Sequence, residues 1–387
     1  MTKRVAILGS TGSIGANTLR VIDALGADYS VAALSAHNNV ELLADQALRF
    51  RPPVVAITNP EKESQLRSLL TDYTGTILSG PDSLTDIASA SDVDIVVTAL
   101  VGAAGLPAVL AAAKMGKRLA IANKEPLVIA GRLLSETAKQ NNAAIIPIDS
   151  EHSAIFQALQ AGAPEEVDRI ILTASGGPFR TADPRQMHNA AAAEALAHPT
   201  WNMGPKITVD SATMVNKALE VIEAVWLFDM PVDKIHVLIH PESVVHSMVE
   251  FVDGSVVAQL GTPDMCVPIQ YALTYPKRRK GIATRLSLEK LGTLTFEKPD
   301  MKKFKALKIG FDVAKTGGSA PVVFNAANEA AVAEFLAGRI ALGRIVELIA
   351  DALGKHNLLP SVSLDELLAA DRWARQYVHK TVTGQKP

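Results

Sequence analysis

The stretch RVAILGSTGSIGANTLRVIDAL, residues 4–25, decides the fold. VAIL is a short apolar run of the kind that forms a buried strand, and from near Ser13 onward the apolar residues recur at helical spacing. Between the two lie Gly9, Gly12 and Gly15, in Gly-x-x-Gly-x-x-Gly spacing. Small residues at such a turn let the backbone approach a pyrophosphate, and the N–H groups and positive dipole end of the following helix favour its charge. A tight turn alone explains many glycine triads. The setting, between a first strand and a first helix, favours a dinucleotide site.

Outward from that turn, RVAIL, YSVAAL, PVVAI, DIVVTAL, RLAIA and AAIIPI read as strands separated by amphipathic helical stretches. That alternation predicts βαβ units and a mostly parallel sheet covered on both faces, an α/β, Rossmann-like doubly wound N-terminal domain over residues 1–148. The apolar run at residues 95–113 has the length of a membrane span, but Gly102, Gly105 and Pro107 break it into strand, turn and helix. Residues 149–275 change pattern: DRIILTAS, KIHVLIH, SVVHSMVEF and SVVAQL group around a helix expected at 211–228, an α+β catalytic domain. Residues 276–300 read as a linker, and 301–387 as a C-terminal helical bundle.

A chain of 387 residues exceeds what one core of roughly 150 residues organises. With 38 basic against 40 acidic side chains and no long basic run, nothing invites a nucleic-acid backbone or an anionic membrane. Small molecules or a second copy of the chain are the expected partners. The single cysteine, Cys266, has no internal disulfide partner, and no secretory signal precedes the first strand, which points to the cytoplasm.

An NAD site commonly closes its second strand with an acidic residue that binds the ribose 2′-hydroxyl. Here that place holds Ser35, Ala36, His37 and Asn38. A neutral, hydrogen-bonding and potentially cationic turn suits a 2′-phosphate, so NADP is expected; His37 as an ordinary solvated loop residue is the plainer alternative.

The end of the N-terminal domain reads IPIDSEHSAIF. In an extended segment Asp149 and Glu151 share a face and aim two carboxylates into the crevice at the sheet's carboxyl edge, where they need a cation or a proton between them. A helix N-terminus capped by Asp149 or Ser150 is the competing reading. Further on, Asp210 or Ser211 is expected to cap the next helix, on which Asn216, Lys217 and Glu220 lie within one turn. Carboxylate oxygens suit Mg²⁺ or Mn²⁺, whereas zinc would recruit His or Cys. Ser175 in ASGGPF, Ser211 and the Asn216–Lys217 pair supply donors for a phosphate group. HPTWNMG, residues 198–204, with His198, Trp201 and Gly204, reads as a closing flap in a loop preceding a strand.

LGSTGSIG, ANKE at 122–125, DSEHSA at 149–154, ASGGPF, HPTWNMGPKITVDSATMVNKALE and NAANEA, taken in order along nearly the whole chain, closely resemble the 1-deoxy-D-xylulose 5-phosphate reductoisomerase family. The resemblance implies a homodimeric enzyme of the non-mevalonate isoprenoid pathway that uses NADPH and Mg²⁺, Mn²⁺ or Co²⁺ to make 2-C-methyl-D-erythritol 4-phosphate. It implies Asp149, Glu151 and Glu220 as metal ligands, with Ser175, Ser211, Asn216, Lys217 and His198 at the phosphate. Ser150 and Lys124 would meet the substrate backbone beneath Trp201. The cofactor would lie on Thr11, Gly12, Ser13 and Ile14, with Ala36, His37 and Asn38 at the adenosine phosphate and Asn123, Glu125 and Gly204 nearer the nicotinamide. The chain departs from the pattern in lacking a Gly-Lys pair at 36–38, in Cys266 after PDM where arginine is frequent, and in Phe324 before NAANE where leucine is common.

Two rivals bear on these residues. A semialdehyde or homoserine type of NADP dehydrogenase shares the layout, but a phosphorylating semialdehyde enzyme needs a cysteine nucleophile and Cys266 has no catalytic context. A silent nucleotide sensor would have no use for three carboxylates.

Overall fold

The computed structural model describes residues 2–100, 102–201, 203–360 and 362–384. Val101, within the apolar run, and Asn202, within the loop read as a flap, lie outside the described residues. The chain forms two compact units, one of Met1–Pro126, Arg132–Ser153 and Asp264–Thr284, the other of Leu127–Gly131, Ala154–Pro263 and Arg285–Pro387.

The first unit holds seven strands, β1 (Lys3–Leu8), β2 (Tyr29–Ala36), β3 (Val54–Ile57), β4 (Thr76–Ser79), β5 (Ile95–Thr98), β6 (Arg118–Ile121) and β7 (Ala144–Pro147). They pair in parallel in the order β4-β3-β2-β1-β5-β6-β7. Val5, Ala6, Ile7 and Leu8 are wholly buried, as a central strand covered on both faces requires. Strand order reverses between β1 and β5, which opens a crevice at the carboxyl edge where ligands of such sheets bind. The sequence reading anticipates six of these strands and misses β4, a four-residue edge strand without the continuous buried run that marks the others. In DIVVTAL only Ile95–Thr98 is strand. The helix Cys266–Thr274 also lies in this unit: the Arg118 guanidinium donates to Leu273 O at 2.8 Å and the Tyr29 hydroxyl at 3.3 Å, while Ile269, Ala272 and Leu273 are fully buried.

The second unit is built on β8 (Val167–Ala174), β9 (Ile235–Ile239), β10 (Val245–Phe251) and β11 (Val256–Leu260), in the order β11-β10-β8-β9, with β8 and β9 parallel and the other pairs antiparallel. Helices Lys305–Thr316, Ala320–Leu336, Leu342–Lys355 and Leu364–Thr383 follow as expected. Ala320–Leu336 is buried almost all round, the mark of a central helix, and Phe324 is wholly enclosed in it. Helices Val215–Leu227 and Lys305–Thr316 pack closely, since a Cβ on Gly310 would stand 2.4 Å from that of Ala218. No described helix is long and apolar enough to cross a membrane.

Two expectations are corrected here. The flap loop leads into a helix, Pro205–Thr213, where a strand was expected. KITV is β-branched, but Pro205 sits in the first helical turn behind Gly204 and buries Thr208, Val209, Ala212 and Thr213, so packing overrides local preference. Asp210 and Ser211 therefore lie inside that helix and cap nothing; the expected helix at 211–228 begins at Val215, after Met214 turns left-handed at φ 62°.

Candidate active site

In the first unit the glycine turn sorts into two kinds of glycine. Gly9 has φ +88°, and a Cβ there would lie 2.5 Å from Ala99 O; one on Gly15 would lie 2.3 Å from Gly9 O. Both are required by the protein's own packing. Gly12 has φ −78°, and a Cβ there would stand 3.6 Å from Gly9 O, so its own fold does not demand glycine. A ligand approaching the backbone closely would demand it. No side chain caps the helix Ser13–Leu25, which leaves its first N–H groups for an anion, beside Thr11, Ser13 and Ile14.

β2 ends at Ala36, and the exposed turn beyond it carries no carboxylate at 36–38. His37 Nδ1 lies 2.8 Å from Thr58 Oγ1, and Asn59 donates to Asn38 Oδ1 at 2.8 Å, a polar rim without a carboxylate that fits a 2′-phosphate. Beyond β6, the Asn123 side chain is buried with neither its nitrogen nor its oxygen partnered among the described residues, and Thr98 Oγ1 at the end of β5 is likewise unpartnered. Buried amides left unsatisfied are costly, and a carboxamide such as that of nicotinamide has the complementary donor and acceptor. Glu125 is buried at the start of the helix Glu125–Gln140, with Lys124 just before it.

The Lys124 ammonium contacts Asp149 Oδ2. Asp149 Oδ1 accepts from Glu151 N at 3.3 Å and lies 3.4 Å from Nδ1 of the fully buried His152. Burial works to raise the Asp149 pKa, but Lys124 and His152 hold its carboxyl well below the usual range. The helix Ser150–Ala158 starts directly after Asp149, so the helix-terminus reading of DSEH is the correct one and the extended one is not. Ser150 Oγ donates to Glu151 Oε2.

The phosphate candidates all lie in the second unit. After β8, Gly176 and Gly177 take φ +83° and +65°, and a Cβ on Gly177 would stand 2.8 Å from Ser211 O, so the ASGG loop lies against the helix Pro205–Thr213. His198 Nδ1 accepts from Thr200 N at 3.2 Å and Trp201 N at 2.9 Å. That assigns the ring proton to Nε2, which stands 3.1 Å from Ser175 Oγ and donates to it. Gly177 N donates to the same oxygen at 3.2 Å. With two donors on its oxygen, the Ser175 hydroxyl has its own proton left for an acceptor outside. Burial pushes the His198 pKa down, which keeps the ring in this neutral form.

On the helix Val215–Leu227, Asn216 Nδ2 donates to Glu220 Oε1 at 2.6 Å, and the Lys217 ammonium contacts Glu220 Oε2. Glu220 is fully buried, and Asn216 Oδ1 has no partner among the described residues. The Trp201 ring lies 6.3 Å from that of His246. Gly204 is the exposed N-cap of Pro205–Thr213. His152 was left without a role in the sequence reading although it stands three residues after Asp149, a spacing that puts both on one helical face. Cys266 is buried, and burial with Asp264 nearby pushes its thiol up to about 11, which removes it as a nucleophile.

Comparison with known proteins matches residues 5–131 to the family model for 1-deoxy-D-xylulose 5-phosphate reductoisomerase, residues 145–228 to its C-terminal domain, and residues 260–377 to the DXP reductoisomerase C-terminal domain. The chain is similar to the 1-deoxy-D-xylulose 5-phosphate reductoisomerase of Pelodictyon phaeoclathratiforme, 49% identical over 98% of this chain and 100% of that one. It is 50% identical to that of Chloroherpeton thalassium, over 97% of each. Among solved structures it resembles the Zymomonas mobilis reductoisomerase in complex with NADPH, with a TM-score of 0.93, 41% identity and 99% of each chain covered. A DOX-P reductoisomerase in complex with NADPH, fosmidomycin and magnesium gives 0.94, 43% and 98% of each.

Proposed function

The chain belongs to the 1-deoxy-D-xylulose 5-phosphate reductoisomerase family, and from that premise we propose how its residues share the work. The enzyme is an NADPH-dependent oxidoreductase that converts 1-deoxy-D-xylulose 5-phosphate to 2-C-methyl-D-erythritol 4-phosphate with a divalent metal, in isoprenoid precursor synthesis. The observation that carries the proposal is that two of the three acids are each set against a lysine ammonium, Asp149 against Lys124 and the fully buried Glu220 against Lys217. Lys124 and His152 hold the Asp149 carboxyl in its charged form.

Asp149, Glu151 and Glu220 are the ligands proposed for the metal, a wholly carboxylate donor set that fits Mg²⁺, with Mn²⁺ and Co²⁺ as further candidates. When bound, the metal polarises the ketone and its neighbouring hydroxyl, and NADPH supplies the hydride. Lys124 and Ser150 orient the hydroxyls of the carbon skeleton, and Lys124 has the charge to move or balance a proton there. Ser175, Ser211, Asn216 and Lys217, with His198 behind Ser175, hold the phosphate and so fix the reacting carbons against the cofactor. Trp201 covers the site and keeps water from it. The cofactor is assigned to Thr11, Gly12, Ser13 and Ile14, with Ala36, His37 and Asn38 at its 2′-phosphate and Asn123, Glu125 and Gly204 toward the nicotinamide.

The same reading extends to a homodimer working in the cytoplasm. What supports the dimer is β11, an edge strand of its sheet that exposes Val256 and Leu260 next to an exposed Val252. The test is loss of NADPH absorbance with 1-deoxy-D-xylulose 5-phosphate in the presence of Mg²⁺ or Mn²⁺, repeated with EDTA. Substrate-dependent oxidation abolished by the chelator is the expected result, and oxidation indifferent to it sinks the metal assignment.

A further inference from the structure

The helix Pro205–Thr213, which carries Ser211, owes its place to packing and to few polar ties. It follows directly on the flap loop, ends at the left-handed Met214, and contains Ile207, Thr208 and Val209, which lower its intrinsic helicity. Its Asp210 is 1% exposed. One carboxylate oxygen meets Lys206 at 2.9 Å, a contact within the same helix that cannot fix the helix against anything else. The other accepts from Asn328 Nδ2 at 2.8 Å, and among the described residues this is the bond that ties the carboxylate to another helix.

Asn328 is an unlikely residue for its place. It lies fully buried in Ala320–Leu336, where an amide costs free energy unless it is hydrogen-bonded. Its Oδ1 has no partner among the described residues, so the side chain is oriented by its donor end on Asp210 alone. Asp210 and Ser211 are adjacent, and displacing one displaces the other. We propose that Asn328 is a positioning residue of the phosphate site: through Asp210 it sets where Ser211 stands, so the C-terminal helical region governs affinity for the phosphorylated end of the substrate. This rests on the assignment of Ser211 to the phosphate.

The test compares KM, kcat and NADPH affinity in Asn328→Asp, in the exchange Asp210→Asn with Asn328→Asp, and in Ser211→Ala. Asn328→Asp sets two carboxylates against each other; KM for 1-deoxy-D-xylulose 5-phosphate should rise roughly tenfold, with kcat and NADPH affinity far less changed. The exchange restores one donor facing one acceptor and should bring KM back to within about threefold of the parent. If Asn328→Asp does not fold, Asn328→Ser, whose hydroxyl is too short to reach Asp210, takes its place and should raise KM in the same direction. A KM unchanged in a folded Asn328 variant while Ser211→Ala raises it overturns the proposal. So does an exchange that gives no rescue, or a loss in which kcat and NADPH affinity fall in step with KM. A KM unchanged in Ser211→Ala removes the phosphate assignment itself and this proposal with it.

Discussion

The glycine turn of the first unit and the Ser175–Lys217 cluster of the second both suit anions, but they are made differently. The turn is backbone: Gly9 and Gly15 let main-chain atoms approach closely, and the N–H groups at a helix start, capped by no side chain, are what it offers an anion. The cluster is side chains, and each depends on another's hydrogen bond, as Ser175 depends on the tautomer of His198. A site of the first kind is indifferent to pH and ruined by a methyl group. A site of the second kind is sensitive to protonation and to the loss of any one partner.

The largest effect that would sharpen this contrast is at Glu220. Glu220→Gln keeps the shape but removes one of the three negative charges offered to a cation; turnover should fall by at least about a hundredfold while NADPH titration is unchanged. Collapse of NADPH affinity instead would show that the two regions are not separable. Next come the glycines. Gly15→Ala places a Cβ 2.3 Å from Gly9 O, and thermal unfolding should show a loss of about 3 kcal/mol together with loss of cofactor. Gly12→Ala places its Cβ 3.6 Å from Gly9 O, so it should leave the melting temperature alone and still weaken NADPH about tenfold. Equal destabilisation by both would end the distinction between packing glycines and ligand glycines.

A smaller effect is expected at the end of β2. His37→Asp supplies the carboxylate missing there, and should weaken NADPH several-fold while NADH improves; kcat/KM with each cofactor measures it. The smallest concerns acid. His198 has its pKa lowered in the folded chain, so the unfolded chain takes up the proton first as pH falls. The contribution of the neutral ring is whole above about 6.5 and is lost as pH drops toward the folded value, when Nδ1 gains a proton and can no longer accept from Thr200 and Trp201. An NMR titration of His198 should give a midpoint below 6.5, and a midpoint above it would refute the tautomer argument.

How much of this was legible follows the same division. The turn at 9–15 could be read because its requirements are local: a strand, three glycines and an apolar-striped helix in one short stretch. β4 could not, because a short edge strand has no continuous buried apolar run to detect. KITV was read as strand since β-branched residues favour one, and only the packing of Thr208 and Val209 turns it into helix. The residue types at 175, 198, 211, 216, 217 and 220 announced donors and acceptors, but residue types do not show that the folded loop turns the Thr200 and Trp201 N–H groups onto His198 Nδ1, nor that Nε2 then meets Ser175, 23 residues away. His152 and Asn328 went unassigned for the same reason, their meaning lying in Asp149 and Asp210.

The segment Asp264–Thr284, which completes the first unit around the buried face of Cys266–Thr274, bears on how the chain is made. During synthesis the parallel sheet emerges from the ribosome long before the helix that Tyr29 and Arg118 hold. Its final apolar cover is therefore supplied only after the whole stretch Ala154–Pro263 has been translated. The nascent amino-terminal half must wait with part of its surface undressed, and that interval is where this polypeptide would most need a chaperone.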